Sequence, residues 1–214
     1  MSFTKIHEQD LHLIQITDTA FADAAMRSGQ HLVCRQGCTQ CCHGAFAIHA
    51  LDAWRLREGM QELAARDPAQ AQAVRERAEQ YLRTYASSFP GDMQTGILGS
   101  SNADKEAFED FANEAACPAL DPQSGLCDLY TARPMTCRIF GPPVKSLADE
   151  EMQEGLAVCE LCFTEATEEE ILAAEMHPPC EEEQALLQRL QATGKARDGE
   201  TIVAWCLIDP LHPF

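Results

Sequence analysis

The chain has 214 residues, 45% of them hydrophobic, with 34 acidic against 16 basic side chains and a formal charge of -18. A chain of this length buries a core without needing metal as its main support, and its charge repels phosphates and anionic membranes, which argues against nucleic acid and lipid as partners. The N-terminus lacks a basic segment followed by an apolar one, and no stretch approaches the roughly 20 apolar residues of a membrane span. One cytoplasmic domain covering residues 1–214 is therefore expected.

Leu11, Ile14, Phe21 and Ala25 recur at helical spacing and predict an amphipathic helix over 9–27 with that stripe in the core. Ala45 to Ile48 reads as a short strand or an extended link. Asp52 is the expected N-cap of a helix through Trp54, Leu56 and Met60. Asp67-Pro68 signals another helix start, because aspartate caps and proline loses nothing at the first helical position; Ala71, Val74, Ala78, Tyr81 and Tyr85 carry its stripe. Residues 87–101 are rich in breakers and read as a loop. Ser101 and Asp104 form a capping-box variant before a helix marked by Phe108, Phe111, Ala112 and Ala115.

From Pro118 to Pro143 the prolines and glycines preclude one long helix, leaving turns and a short helical piece over 132–139. Short helices are expected over 168–176 and 181–193, the second closed by Gly194. The apolar run 202–208 is a strand or a buried helix, which periodicity does not decide. From Glu165 to Glu183 eight glutamates occur with no lysine or arginine; this is a solvated face or a docking surface for a basic protein partner. The fold class is mainly α: a single helical domain with irregular cysteine-rich loops, a core over 34–141 and an acidic C-terminal extension over 142–214.

Eleven cysteines are an odd number, and a reducing compartment keeps thiols free, so clustered cysteines point to metal or redox chemistry. Cys34, Cys38, Cys41 and Cys42 read C-x3-C-x2-C-C, and Gly37 helps the tight turn. Cys117-Pro118-Ala119-Leu120, Cys127-Asp128-Leu129-Tyr130, Arg133-Pro134 and Cys137-Arg138 follow about eighty residues later. Thiolates suit Zn²⁺ and iron–sulfur clusters alike and disfavour Mg²⁺ and Ca²⁺. The first spacing is also that of radical-SAM cluster loops, but those proteins resemble βα barrels and this chain has no alternating strands and helices.

Cys41 and Cys42 are adjacent, so both binding the same mononuclear ion would strain the loop; the expectation is that one ligates while its neighbour packs, bridges or serves a second centre. Cys159 and Cys162 form another C-x2-C pair, a possible second site or two buried thiols. Arg35, Arg133 and Arg138 stand next to or near cysteines, where guanidinium groups can offset thiolate charge; the alternative for Arg133 is an ion pair within the turn from Asp128 to Pro134. His31, His43 and His177 are more often solvated or packed side chains than ligands. Cys180 and Cys206 read as structural thiols, and Tyr130 as packed beside the ligand loop with its hydroxyl bonded to backbone.

The two cysteine groups resemble the YkgJ-type cysteine-cluster family, described as zinc- or iron-chelating, with its C-x3-C-x2-C-C, C-P-x-L, C-x-x-Y, R-P and C-R elements in this order. The resemblance implies Cys34, Cys38, Cys41, Cys42, Cys117, Cys127 and Cys137 as metal ligands. A more distant similarity to flagellin lysine methylases favours an iron–sulfur cluster such as 4Fe-4S and keeps SAM-linked methyl transfer as a further alternative, although no Gly-rich SAM signature is present. The expectation is an iron–sulfur protein with a redox or cluster-dependent role; the alternative is a zinc-binding interaction module without catalysis. No catalytic constellation is recognisable, and the sequence leaves both enzyme status and any small-molecule substrate open.

Overall fold

The computed structural model describes residues 3–145, 156–196 and 198–208. In chain order the elements are α1 (Phe3–Ser28), α2 (Ala50–Arg66), α3 (Pro68–Tyr85), β1 (Gly91–Asp92), β2 (Ile97–Leu98), α4 (Asn102–Glu109), α5 (Met135–Ile139), β3 (Val144–Lys145), β4 (Leu156–Ala157), α6 (Glu168–Ala173), α7 (Cys180–Gln191) and α8 (Val203–Ile208). The fold is mainly α, and the strands form two small antiparallel pairs, β1 with β2 and β3 with β4. The chain divides into two compact units. The first comprises residues 1–36 and 135–189, the second 37–134 and 190–214.

In the second unit α2, α3 and α8 share a core of Leu56, Met60, Leu63, Val74, Ala78, Val203 and Leu207. Helix α3 starts where expected: Asp67 Oδ1 accepts the Gln70 N–H at 3.0 Å and Pro68 holds the first position. Asp52 is not the cap of α2. His49 precedes the helix, and Asp52 lies in its first turn, buried and paired with Arg55 at 2.6 Å. The apolar run near the C-terminus resolves as helix because the strand-like pairing stops at Thr201, whose N–H and C=O both bond Ile48. Beyond that point Val203, Ala204, Cys206 and Leu207 are all buried, as expected of a helix that is apolar on most sides.

Two expectations over 87–115 change. The loop contains the β1–β2 hairpin, and α4, with its Ser101–Asp104 capping box, ends at Glu109 because Ala112 takes a left-handed conformation. Phe111 is nevertheless buried, in a second cluster with Tyr81, Leu82 and Phe89.

In the first unit α1 is longer than predicted and turned by about one residue. Its buried side is Ile6, Asp10, Leu13, Thr17, Ala24 and Ser28, while Leu11 is half-exposed. The polar members of that face are tolerated because Thr17 and Ser28 donate to the carbonyls of Leu13 and Ala24 one turn earlier. Arg27, at the end of α1, donates to the carbonyls of Ala173 (2.9 Å) and Glu175 (2.6 Å), which terminates α6. Arg138 of α5 is buried and donates to both Asp18 oxygens at 3.0 and 3.1 Å. The acidic start of α6 is ordered by a capping box between Thr167 and Glu170. Among the described residues no helix is long and apolar enough to cross a membrane.

Candidate metal centre

All eleven cysteines carry free thiols. The division of the chain assigns Cys38, Cys41, Cys42, Cys117 and Cys127 to the second unit, and Cys34, Cys137, Cys159 and Cys162 to the first.

In the second unit the backbone brings three short segments together. Gly37 turns the chain with a positive φ, and Gln40–Cys42 forms a 3-10 turn in which the Cys42 N–H donates to Thr39 O at 2.8 Å. His43 then pairs with Ala116, so that the Cys117 N–H donates to Cys42 O at 2.7 Å and the Gly44 N–H to Ala115 O at 2.9 Å. Cys42 and Cys117 therefore sit on adjoining backbone. After Pro118 the chain folds back on itself: Leu120 pairs with Cys127, Asp128 N–H donates to Ala119 O, and the Asp121 carboxylate holds the turn through Gln123 and Ser124. This return places Cys127 beside Cys117.

The electrostatics of Cys41, Cys42, Cys117 and Cys127 are mutually linked. A hydrogen bond from Cys42 lowers Cys41 to about 6 against the effect of burial, assisted by its own backbone N–H and by the charges of Arg133 and His43. Cys42 is pushed strongly upward, first by that same hydrogen bond, which keeps the proton on it, then by burial and by the charges of Cys41, Cys117 and Cys127. Burial raises Cys117 to about 12 and also raises Cys127, with Arg133 opposing the latter. Backbone N–H groups of Ala119 and Leu120 face the Cys117 sulfur, and that of Leu129 faces Cys127. Such donors support thiolate as a ligand. Half-buried thiols on adjoining segments are soft donors that release their protons when a soft cation binds, so the donor set fits Zn²⁺ or iron.

The surrounding side chains were only partly foreseeable. Arg133 donates to Tyr130 O at 2.9 Å, and its guanidinium lies 4.0 Å over the Tyr130 ring. Tyr130 is 62% exposed, contrary to the expectation that it packs beside the loop. Asp128 is held by Arg77 and by Gln70 Nε2 at 2.6 Å, and Arg77 Nε also donates to Pro118 O at 2.8 Å. One α3 side chain thus grips both cysteine segments. Sequence reasoning missed Arg77 and Gln70, since nothing in the α3 stripe marks its polar side. Cys38 is half-buried in the turn after Gly37, and His43 Nδ1 lies 3.0 Å from Thr39 O.

In the first unit Cys34 is half-buried with its Sγ 3.9 Å from Cys162 Sγ, while Cys159 and Cys162 are both buried. Cys137 is half-buried on α5, Arg35 is exposed, and Arg138 faces Asp18. His31 stacks on Phe163 with centroids 5.7 Å apart, and His177 is exposed. Cys180 is half-buried at the start of α7. Cys206 is buried in the second unit's core, bonded to Ile202 O and raised to about 12 by burial.

No curated protein and no solved structure matches the chain. The CxxCxxCC family model, described as "Putative zinc- or iron-chelating domain", matches residues 33–163. That range includes the resembling segment 34–141 and continues through Cys159 and Cys162. Clustered thiols, a soft donor set and a match over more than half the chain agree: this is a metal-binding cysteine-cluster protein, and it belongs to the CxxCxxCC family.

Proposed function

We propose that Cys41, Cys42, Cys117 and Cys127 hold a single Zn²⁺ that orders the ligand loops, and that the protein works as a zinc-binding interaction module. The observation that carries this reading is the backbone that sets these cysteines side by side: the Cys117 N–H donates to Cys42 O at 2.7 Å, and the pairing of Leu120 with Cys127 returns Cys127 beside Cys117. A tetrahedral Zn²⁺ takes four thiolates at roughly 2.3 Å, so it needs sulfurs from segments as closely joined as these. An iron–sulfur cluster gives each thiolate its own iron and spreads the sulfurs further. The Zn²⁺ would supply fixed tetrahedral bonding and no redox change. Exposed Tyr130 under Arg133 gives the ordered loop an aromatic and a cationic group, the residue types enriched in protein interfaces.

Anaerobic purification followed by metal and acid-labile sulfide analysis tests the assignment. Zinc without sulfide or visible colour is expected, with zinc content falling by a single equivalent in Cys117→Ser/Cys127→Ser. A brown protein whose iron and sulfide are lost in that variant would overturn zinc in favour of an iron–sulfur centre with a redox or cluster-dependent role.

A further inference from the structure

Helices α1 and α7, both in the first unit, line a cavity of about 360 Å³, a size within the roughly 300–1,000 Å³ of small-molecule sites. Each helix gives it one side. Lys5, Gln9 and Ile16 of α1 recur at helical spacing, as do Glu182, Ala185, Leu186 and Arg189 of α7. At Ala185 the α7 side is a single methyl, which leaves the space open. The floor is apolar: Leu13 and Leu186 are buried, while Ile16, 38% exposed, keeps a large apolar side chain open to the cavity. Surface of this kind favours an apolar occupant over water.

The charges at the edge decide what the apolar occupant carries. Elsewhere in the first unit Arg27 and Arg138 already face Asp23 and Asp18. Among the described residues neither Lys5 nor Arg189 pairs with a carboxylate, and Arg189 donates only to the neutral Oε1 of Gln9, at 3.3 Å. Gln9 lies one turn along α1 from Lys5, so this bond brings the two cations to the same end of the cavity. Glu182 lines the cavity two turns back along α7, about 10 Å from Arg189. Glu8 stands at the cationic end and is exposed. Two cations against one carboxylate leave a single positive charge there, which one anionic group neutralises and a polyphosphate would exceed.

We propose that this cavity binds a small amphiphilic monocarboxylate of the medium-chain fatty acid class, with its carboxylate between Lys5 and Arg189 and its chain over Leu13, Ile16, Ala185 and Leu186. Guanidinium and ammonium groups both donate charge-assisted hydrogen bonds to a carboxylate, and the apolar floor takes the chain. None of these residues belongs to a cysteine segment, so the proposal stands apart from the metal centre and from the identity of its metal.

The test titrates decanoate by calorimetry into the full chain as purified, below the concentration at which decanoate forms micelles. One saturable equivalent is expected, with decylammonium and decanol binding about tenfold more weakly, the scale of a lost hydrogen bond to a charged group. Lys5→Gln/Arg189→Gln should weaken decanoate by a similar factor. Ala185→Phe should weaken decanoate and decanol alike, because it fills the cavity without touching the cations. Glu8→Gln should tighten decanoate by about two- to fivefold, as expected for relief of an exposed charge repulsion. Absence of saturable decanoate uptake by the unmodified chain overturns the proposal without any variant having to fold, and so does decylammonium that binds as tightly as decanoate. Unchanged decanoate affinity in both Lys5→Gln/Arg189→Gln and Ala185→Phe places the ligand elsewhere and overturns it as well.

Discussion

Arg77 is the residue that ties the Cys117 and Cys127 segments of the proposed centre together. Its guanidinium bonds the carbonyl that follows Cys117 and the carboxylate that follows Cys127, so a single side chain fixes the distance between two ligand segments that have little regular structure. Asp128 is buried at 5% exposure, and removal of its partner leaves a carboxylate poorly compensated. Groups that orient metal ligands typically contribute roughly 10–100-fold to metal affinity. Arg77→Ala should therefore weaken metal binding by about that factor while α3 stays helical, because Ala71, Val74 and Ala78 carry its packing on the other side. Competition with a chromophoric chelator measures the affinity. Arg77→Lys should recover part of it, since lysine supplies charge without the fork that reaches two acceptors. Affinity unchanged in Arg77→Ala would show that the ligand segments are held without it.

Helix α2 acts on the same site through the absence of a side chain. A Cβ on Gly59 would fall well inside the van der Waals shell of the Ala132 methyl, which belongs to the 3-10 turn Tyr130–Ala132 that follows Cys127. Two effects oppose each other in Gly59→Ala. Helix propensity favours alanine by about 1 kcal/mol, whereas overpacking typically costs 1–3 kcal/mol, and here the clash is with a short turn held at both ends. The clash should win, lowering the melting temperature and weakening metal binding together. Moving the methyl instead, in Gly59→Ala/Ala132→Gly, should restore both. A single variant as stable as the original protein would mean that the turn yields freely and does not transmit α2 to the ligands.

Elements of this kind mark the boundary of what the sequence discloses. The start of α3, the capping box of α4 and the cysteine groups were legible because each depends on neighbours within a few residues: Asp67 on Gln70, Ser101 on Asp104, Cys41 on Cys42. The stripe of α1 was misread by about one residue because Thr17 and Ser28 hide their hydroxyls in their own helix and so pass as core. Gly59 and Arg77 carry no local signal at all, as their partners lie some 40 to 70 positions away in the chain. The division of the cysteines between two units was likewise hidden, because Cys34 and Cys38 read as one motif until Cys162 is seen beside Cys34.

At the scale of the whole molecule, the proposed metal centre and the hydrophobic core would divide the work of holding the chain. The second unit buries Leu56, Met60, Leu63, Val74 and Leu207 to 3% exposure or less, all from α2, α3 and α8, and Ala119 and Leu129 join that core from the cysteine loops. Each fully buried side chain of this type contributes roughly 1.5–3 kcal/mol, so these helices should outlast the loss of metal. The cysteine segments of the second unit add fewer side chains to that core, and their backbone is held by isolated bridges such as His43 with Ala116 and Leu120 with Cys127. Local opening follows the weakest packing. After chelation, hydrogen exchange should accelerate over residues 37–45 and 116–134 in the second unit, while α2, α3 and α8 keep most of their protection. A chain that loses protection everywhere would show that metal binding is the folding step itself, as in small zinc fingers. Protection unchanged in every cysteine segment would instead describe sites formed before the metal arrives, able to give it up and take it again, and would move the protein from a metal-ordered interaction module toward metal handling.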